Sequence, residues 1–105
     1  MLEIRTIDYA IEKRIPPNLR VEVEAIAPEN VTLTLVRRQT TVVPADRLQP
    51  YDLVATPANG PEGEVKIKVE DVQKDYLAES PWIRGIKVFL PDGSSVQKRF
   101  SSGDE

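Results

Sequence analysis

Apolar and polar residues trade places at every second position in five stretches of this chain, the pattern of half-buried β-strands. In 6–11, Ile7, Tyr9 and Ile11 share a face. In 20–25, Val21, Val23 and Ala25 oppose Glu22 and Glu24. In 31–36, Val31, Leu33 and Leu35 oppose Thr32 and Thr34. In 64–70, Val65, Ile67 and Val69 oppose Lys66, Lys68 and Glu70. In 85–90, Ile86, Val88 and Leu90 oppose Lys87 and Phe89. A sixth, weaker segment has Val96 and Phe100 bracketing Lys98. The pattern predicts strands near 4–13, 20–26, 30–37, 64–70, 85–90 and 95–100. The core would consist of Val21, Val23, Val31, Leu33, Leu35, Val65, Ile67, Val69, Ile86 and Val88. Alternation of this kind belongs to sheets with one face on a core and the other in water.

The punctuation between these stretches agrees. Pro16-Pro17-Asn18, Asn59-Gly60-Pro61-Glu62-Gly63 and Pro91-Asp92-Gly93-Ser94 are turn chemistry, the Asn59–Gly63 run reading as a hairpin loop. Nine prolines argue against long helices, since a proline inside a helix costs about 3 kcal/mol. A helical turn fits in two places. One is Ala45–Leu48; the other is 70–80, where Val72, Tyr76 and Leu77 would share a side. The expected fold is mainly β: a small single domain of antiparallel or mixed strands over 1–100, with long loops and at most one or two short helical turns. Residues 101–105, "SSGDE", read as a flexible tail.

Composition narrows the function classes. The 105 residues suit one domain with one modest core. A net charge of −3 with both signs interspersed leaves no concentrated basic footprint, so nucleic acid is not an expected partner. No apolar run reaches the roughly 18–20 residues that cross a bilayer, and the N-terminus lacks the basic start and apolar stretch of a signal peptide. Any membrane attachment would come through a segment outside this chain. Cysteine and histidine are both missing, which removes disulfides, thiolate chemistry and the side chain best suited to proton transfer near neutral pH.

The remaining polar residues suggest surface rather than catalysis. Glu22 and Glu24 lie on a wet face, where carboxylates keep ordinary pKa values. Glu70, Asp71 and Asp75 could be imagined as an oxygen cage for a hard cation, but they lack the loop spacing and central glycine of an EF-hand. Ser94-Ser95 and Ser101-Ser102 have no histidine to activate them. Gly60 and Gly63 do not form a phosphate loop, because a proline removes a donor and a glutamate adds repulsion. Asn30-Val31-Thr32 matches the N-glycosylation tripeptide. Lys13-Arg14 and Arg37-Arg38 read as solvated strand ends able to meet an acidic partner. Trp82, the lone tryptophan, closes the core or, if exposed, marks an interface or a carbohydrate-stacking platform. The expectation is no catalytic, cofactor-binding or metal-ligating residue.

The order of these pieces resembles a known family. "IDYAIEKRIPPNLRVEVEAIAPENVTLTL" is similar to the opening of a YbbR domain, with Ile15–Leu19 in its turn and Pro28–Leu33 in its following motif. "PYDLVATPANGPEGEVKIKVEDV" resembles the middle segment, with Asp52-Leu53, Gly63 and the strand 64–69 in place. "GIKVFLPDGSSVQKRF" resembles the closing segment through Pro91 and Val96. Arg37-Arg38 replace a glycine common there, the loop after Asp52-Leu53 is longer, and 74–84 reads as an insertion. The resemblance implies a small β domain repeated in tandem outside the cytoplasmic membrane, in a membrane-anchored protein. It further implies a non-enzymatic interaction and scaffold role, with sister repeats or a membrane enzyme such as a diadenylate cyclase as protein partner. It carries no catalytic residues and no cofactor. "IKVFLPDGSSVQKRF" is also similar to the first hairpin of ubiquitin-regulatory X domains, which bind a hexameric AAA ATPase.

Overall fold

In the computed structural model, residues 2–39 and 42–100 are described. The alternating stretches form β1 (Glu3–Glu12), β2 (Asn18–Pro28), β3 (Val31–Arg37), β5 (Glu64–Lys74), β6 (Gly85–Phe89) and β7 (Ser95–Arg99). A further strand, β4 (Leu48–Pro57), and one short helix, α1 (Tyr76–Glu79), complete the chain order. The fold is mainly β, as the alternation predicts.

The strands divide into two sheets. One has the order β1-β2-β5 and the other β3-β4-β6-β7. Neighbours are antiparallel except β4 and β6, which run parallel from Leu48 beside Gly85 to Asp52 beside Phe89. Three connections cross from sheet to sheet, and two of them, β2–β3 and β4–β5, do so at the same end of the molecule. These two are bonded to each other: Glu29 N–H donates to Gly63 O at 2.8 Å, and Ala58 N–H donates to Asn30 O at 2.8 Å. The loop 58–63 is therefore a sheet-to-sheet crossing and not the expected hairpin, since β4 and β5 lie in different sheets. We call this the crossing end; turn 90–94 lies there too. The opposite, or tip, end holds the β1–β2 turn, the β3–β4 connection and α1.

The inner faces meet in one core. Leu19, Val21 and Val23 of β2 are fully buried, since β2 is the central strand of its sheet. They join Leu35, Tyr51, Leu53, Ile86 and Val88 of the other sheet, with Tyr76 and Ile83 closing the tip end. The expected core is too wide at the edges. Val31, Leu33, Ile67 and Val69 are only partly buried and Val65 is 41% exposed, because β3 and β5 are edge strands.

The expected helical stretch also differs. Residues 70–74 continue β5, with Val72 opposite Arg20. Tyr76 is buried whereas Leu77 is exposed, so Val72, Tyr76 and Leu77 share no helical face. Ala45–Leu48 is a turn rather than a helix: Arg47 N–H donates to Pro44 O at 3.0 Å, Arg47 takes φ 57°, and Leu48 already starts β4. The expected tail at 101–105 lies outside the described residues. Among the described residues, no helix is long and apolar enough to cross a membrane.

Candidate functional site

At the tip end, the last residue of β3, the start of β4, the end of β5 and α1 converge on a polar cleft of about 240 Å³ lined by Arg37, Arg38, Gln49, Gln73, Glu79 and Ser80. Strand parity puts Gln73 there: from Ile67 and Val69 onward, every second β5 residue faces inward. Gln49 is buried beneath the Arg38 backbone and Ser80. Its amide donates to Arg38 O at 2.9 Å and Pro50 O at 3.1 Å, and its Oε1 accepts from Ser80 Oγ at 3.2 Å. Gln73 Nε2 donates to Glu79 Oε2 at 3.1 Å. An ionised carboxylate only accepts, so this bond fixes the amide's orientation. Gln73 Oε1 is then buried without a protein partner.

Beneath the cleft, Arg37 Nη1 reaches Asp71 Oδ2 at 3.0 Å and joins the two sheet edges. The Tyr51 hydroxyl is buried and also lacks a protein partner. Burial pushes its pKa well up, the Asp71 carboxylate adds to this, and Arg37 offsets part of it. A buried polar atom without a partner costs about 1–3 kcal/mol. The cleft therefore offers a buried acceptor, a carboxylate and arginine donors to a small polar molecule. It does not pair a nucleophile with a base, since Ser80 Oγ bonds an amide oxygen.

The residues picked out in the sequence mostly satisfy one another. Glu22 pairs with Lys68 at 3.3 Å, Glu24 with Lys66 at 3.8 Å, and Arg20 with Glu70 at 3.1 Å and Glu12 at 3.5 Å, a charge ladder across the outer face of the first sheet. Glu70 and Asp71 take opposite faces and opposite arginines, which disperses the imagined cation cage. No group of metal-ligating residues forms among the described residues. Ser94 closes a turn, with its N–H and Oγ donating to Asp92 Oδ1 at 2.9 and 2.6 Å. These bonds, the hydroxyl's first, hold the Asp92 pKa down. Ser101 and Ser102 lie outside the described residues.

The two arginines of the 37–38 pair diverge. Arg37 turns inward, whereas Arg38 donates from Nε to Asp52 Oδ2 at 3.1 Å and stacks 4.4 Å from the Phe89 ring centre. Beside it, Lys87 pairs with Asp46 at 3.4 Å, along a shallow cleft of about 340 Å³. Trp82 is partly buried against the core and lines neither of these clefts. The sequence alone does not single out Gln49, Gln73 or Ser80. Extending the β5 alternation by four residues would have found Gln73; nothing local marks the other two.

The third cleft, of about 390 Å³, is mainly apolar and sits at the crossing end between Leu2, Pro28, Val31, Ala55, Leu90 and Pro91, with Asp92 at its rim. Comparison with protein-family models, with curated proteins and with solved structures gave no match to this chain.

Proposed function

We propose that this domain is a non-catalytic interaction and scaffold module of the YbbR type. In this reading it is one repeat of a membrane-anchored protein, works on the outer side of the cell membrane, and acts through sister repeats or a membrane enzyme such as a diadenylate cyclase. The observation that carries the reading is the course of the chain. β1 and β7 both run from the crossing end towards the tip end: Leu2 lines the crossing-end cleft, while the Phe100 ring rests 4.7 Å from Tyr9, six positions past Glu3 along β1. At 3.2–3.4 Å per strand residue, entry and exit are separated by about 20 Å along the sheet. A domain entered at one end and left towards the other can be strung head to tail.

The test is to add the purified domain to membranes carrying a diadenylate cyclase, and separately to assay the domain alone on hydrolase substrates. The expected result is altered cyclic di-AMP output in the first assay and no turnover in the second. Turnover by the domain alone, abolished by changing one carboxylate, would overturn the module reading; unchanged output would remove this partner.

A second reading, small-ligand binding, is supported by Gln73 Oε1 in the polar cleft and not by Trp82. Its ligand would present a hydroxyl or N–H donor to Gln73 and an anionic group to the arginines. Screening sugars and amino acids by NMR should then shift residues 37–39, 49, 73 and 79–80 together. Shifts confined to Trp82 would favour a stacking site instead.

A further inference from the structure

The two ends of the molecule carry complementary features that the sheets themselves do not use. At the tip end, the β1–β2 turn displays Lys13, Arg14 and Ile15, followed by Pro16 and Pro17. Ile15 is fully exposed, the most exposed large apolar side chain among the described residues. The two prolines after it narrow the backbone freedom of the turn, since each ring fixes its own φ. At the crossing end lies the apolar cleft of about 390 Å³. An apolar cavity of roughly 150 Å³ already takes up benzene, so this cleft has room for an isoleucine side chain and part of a proline ring.

The charges match as well. Asp92 lines the cleft and Glu29 follows Pro28, whereas Glu3, next to Leu2, is paired with Arg5 at 3.9 Å. Glu62 lies in the neighbouring crossing loop. The turns 28–31, 58–63 and 90–94 contain no lysine or arginine. The tip presents a basic pair in front of an apolar knob, and the far end presents an apolar cleft with an acidic rim.

We infer that the Lys13–Pro17 tip of one copy docks into the Leu2/Val31/Leu90 cleft of a second copy, head to tail. This rests on the module reading above and names the partner as the chain itself. The contact is heterologous, joining different patches on the two copies, so it propagates along a row instead of closing as a symmetric dimer. Its footprint, one turn in one cleft, falls short of the roughly 1,000 Å² of a stable free interface. Free copies should therefore associate only near millimolar concentration, which is about the effective concentration a short linker supplies between joined copies.

The experiment is an NMR dilution series of the 105-residue chain up to about 1 mM. Expected are concentration-dependent shifts in two separate patches, residues 13–17 and residues 2, 31, 55 and 90–92, reduced when salt is raised. Ile15→Ser, at an exposed site, should abolish both sets of shifts. Labelled Ile15→Ser chain mixed with unlabelled wild type should regain the cleft shifts alone, because its cleft is intact and its tip is not. Absence of shifts at the highest concentration, shifts in one patch only, or shifts that survive Ile15→Ser would each overturn head-to-tail docking. None of these outcomes bears on the cyclase assay, which tests the module reading independently.

Discussion

Tyr51 is the largest fully buried side chain among the described residues, and its hydroxyl has no protein partner. Removing that oxygen should relieve a desolvation cost, so Tyr51→Phe is expected to raise stability by up to about 1 kcal/mol in urea unfolding. A loss of stability would mean that the hydroxyl has a partner. Burial raises the pKa of the folded phenol above its unfolded value of about 10. Below that pH the phenol is neutral in both states; as pH rises beyond it the unfolded chain ionises first and stability falls, an alkaline loss that Tyr51→Phe should not show. Asp46 behaves in the opposite sense. Its pKa is held down first by the Leu48 N–H, which donates at 3.0 Å, and then by Lys87. Its contribution is present above the ordinary carboxylate pKa of about 4 and lost as pH falls through the lower folded value. Asp46→Asn keeps an acceptor for Leu48 but loses the charge. It should cost no more than about 1 kcal/mol at neutral pH, with the difference vanishing in acid.

Among the elements, β4 was the least legible in the sequence. "LQPYDLVATP" holds two prolines, and Leu48 through Tyr51 are buried in succession, so no alternation marks it. Its first four residues show no wet face, and proline argues against a central strand. Pro50 fits because it lies beyond the last residue of β3, where its carbonyl accepts from Arg38 N–H at 3.0 Å. The edge strands show the converse. Their alternation was plain, but how deeply each apolar position is covered depends on the partner sheet, which the local pattern does not record. Leu53→Ala, in the middle of β4, should therefore cost about 2–5 kcal/mol, whereas Val65→Ala on the β5 edge should stay within about 0.5 kcal/mol. Gly85 is the most crowded of the described glycines: a Cβ there would stand 2.5 Å from Lys98 O and 2.7 Å from Leu48 Cδ2. Gly85→Ala should separate β6 from β7 and lower the thermal midpoint, while Gly93→Ala meets no neighbour and strains only its own φ of +90°.

For the molecule as a whole, the polar cleft was hidden from sequence because its members come from β3, β4, β5 and α1 and meet only once the fold has formed. The carboxylates were easier to place, since period-two parity alone puts Glu22 and Glu24 on one face, where Lys68 and Lys66 meet them. The single parallel pairing, β4 with β6, also imposes an order in time. β4 ends at Pro57 and β6 begins only at Gly85, with the whole of β5 and α1 between them. On a ribosome, the β1–β2 and β3–β4 ribbons emerge first, yet β2 still waits for β5 and β4 for β6. Pairing over such separations is slow, on the order of milliseconds to seconds for β-rich domains. During that interval β2 and β4, central strands of the finished sheets, are themselves open edges, each a template for another chain. Translation arrested between residues 57 and 85 would leave β2 and β4, the most deeply buried strands of each sheet, uncovered and free to adhere to another chain, so β5 and β6 act as this domain's own protection against aggregation.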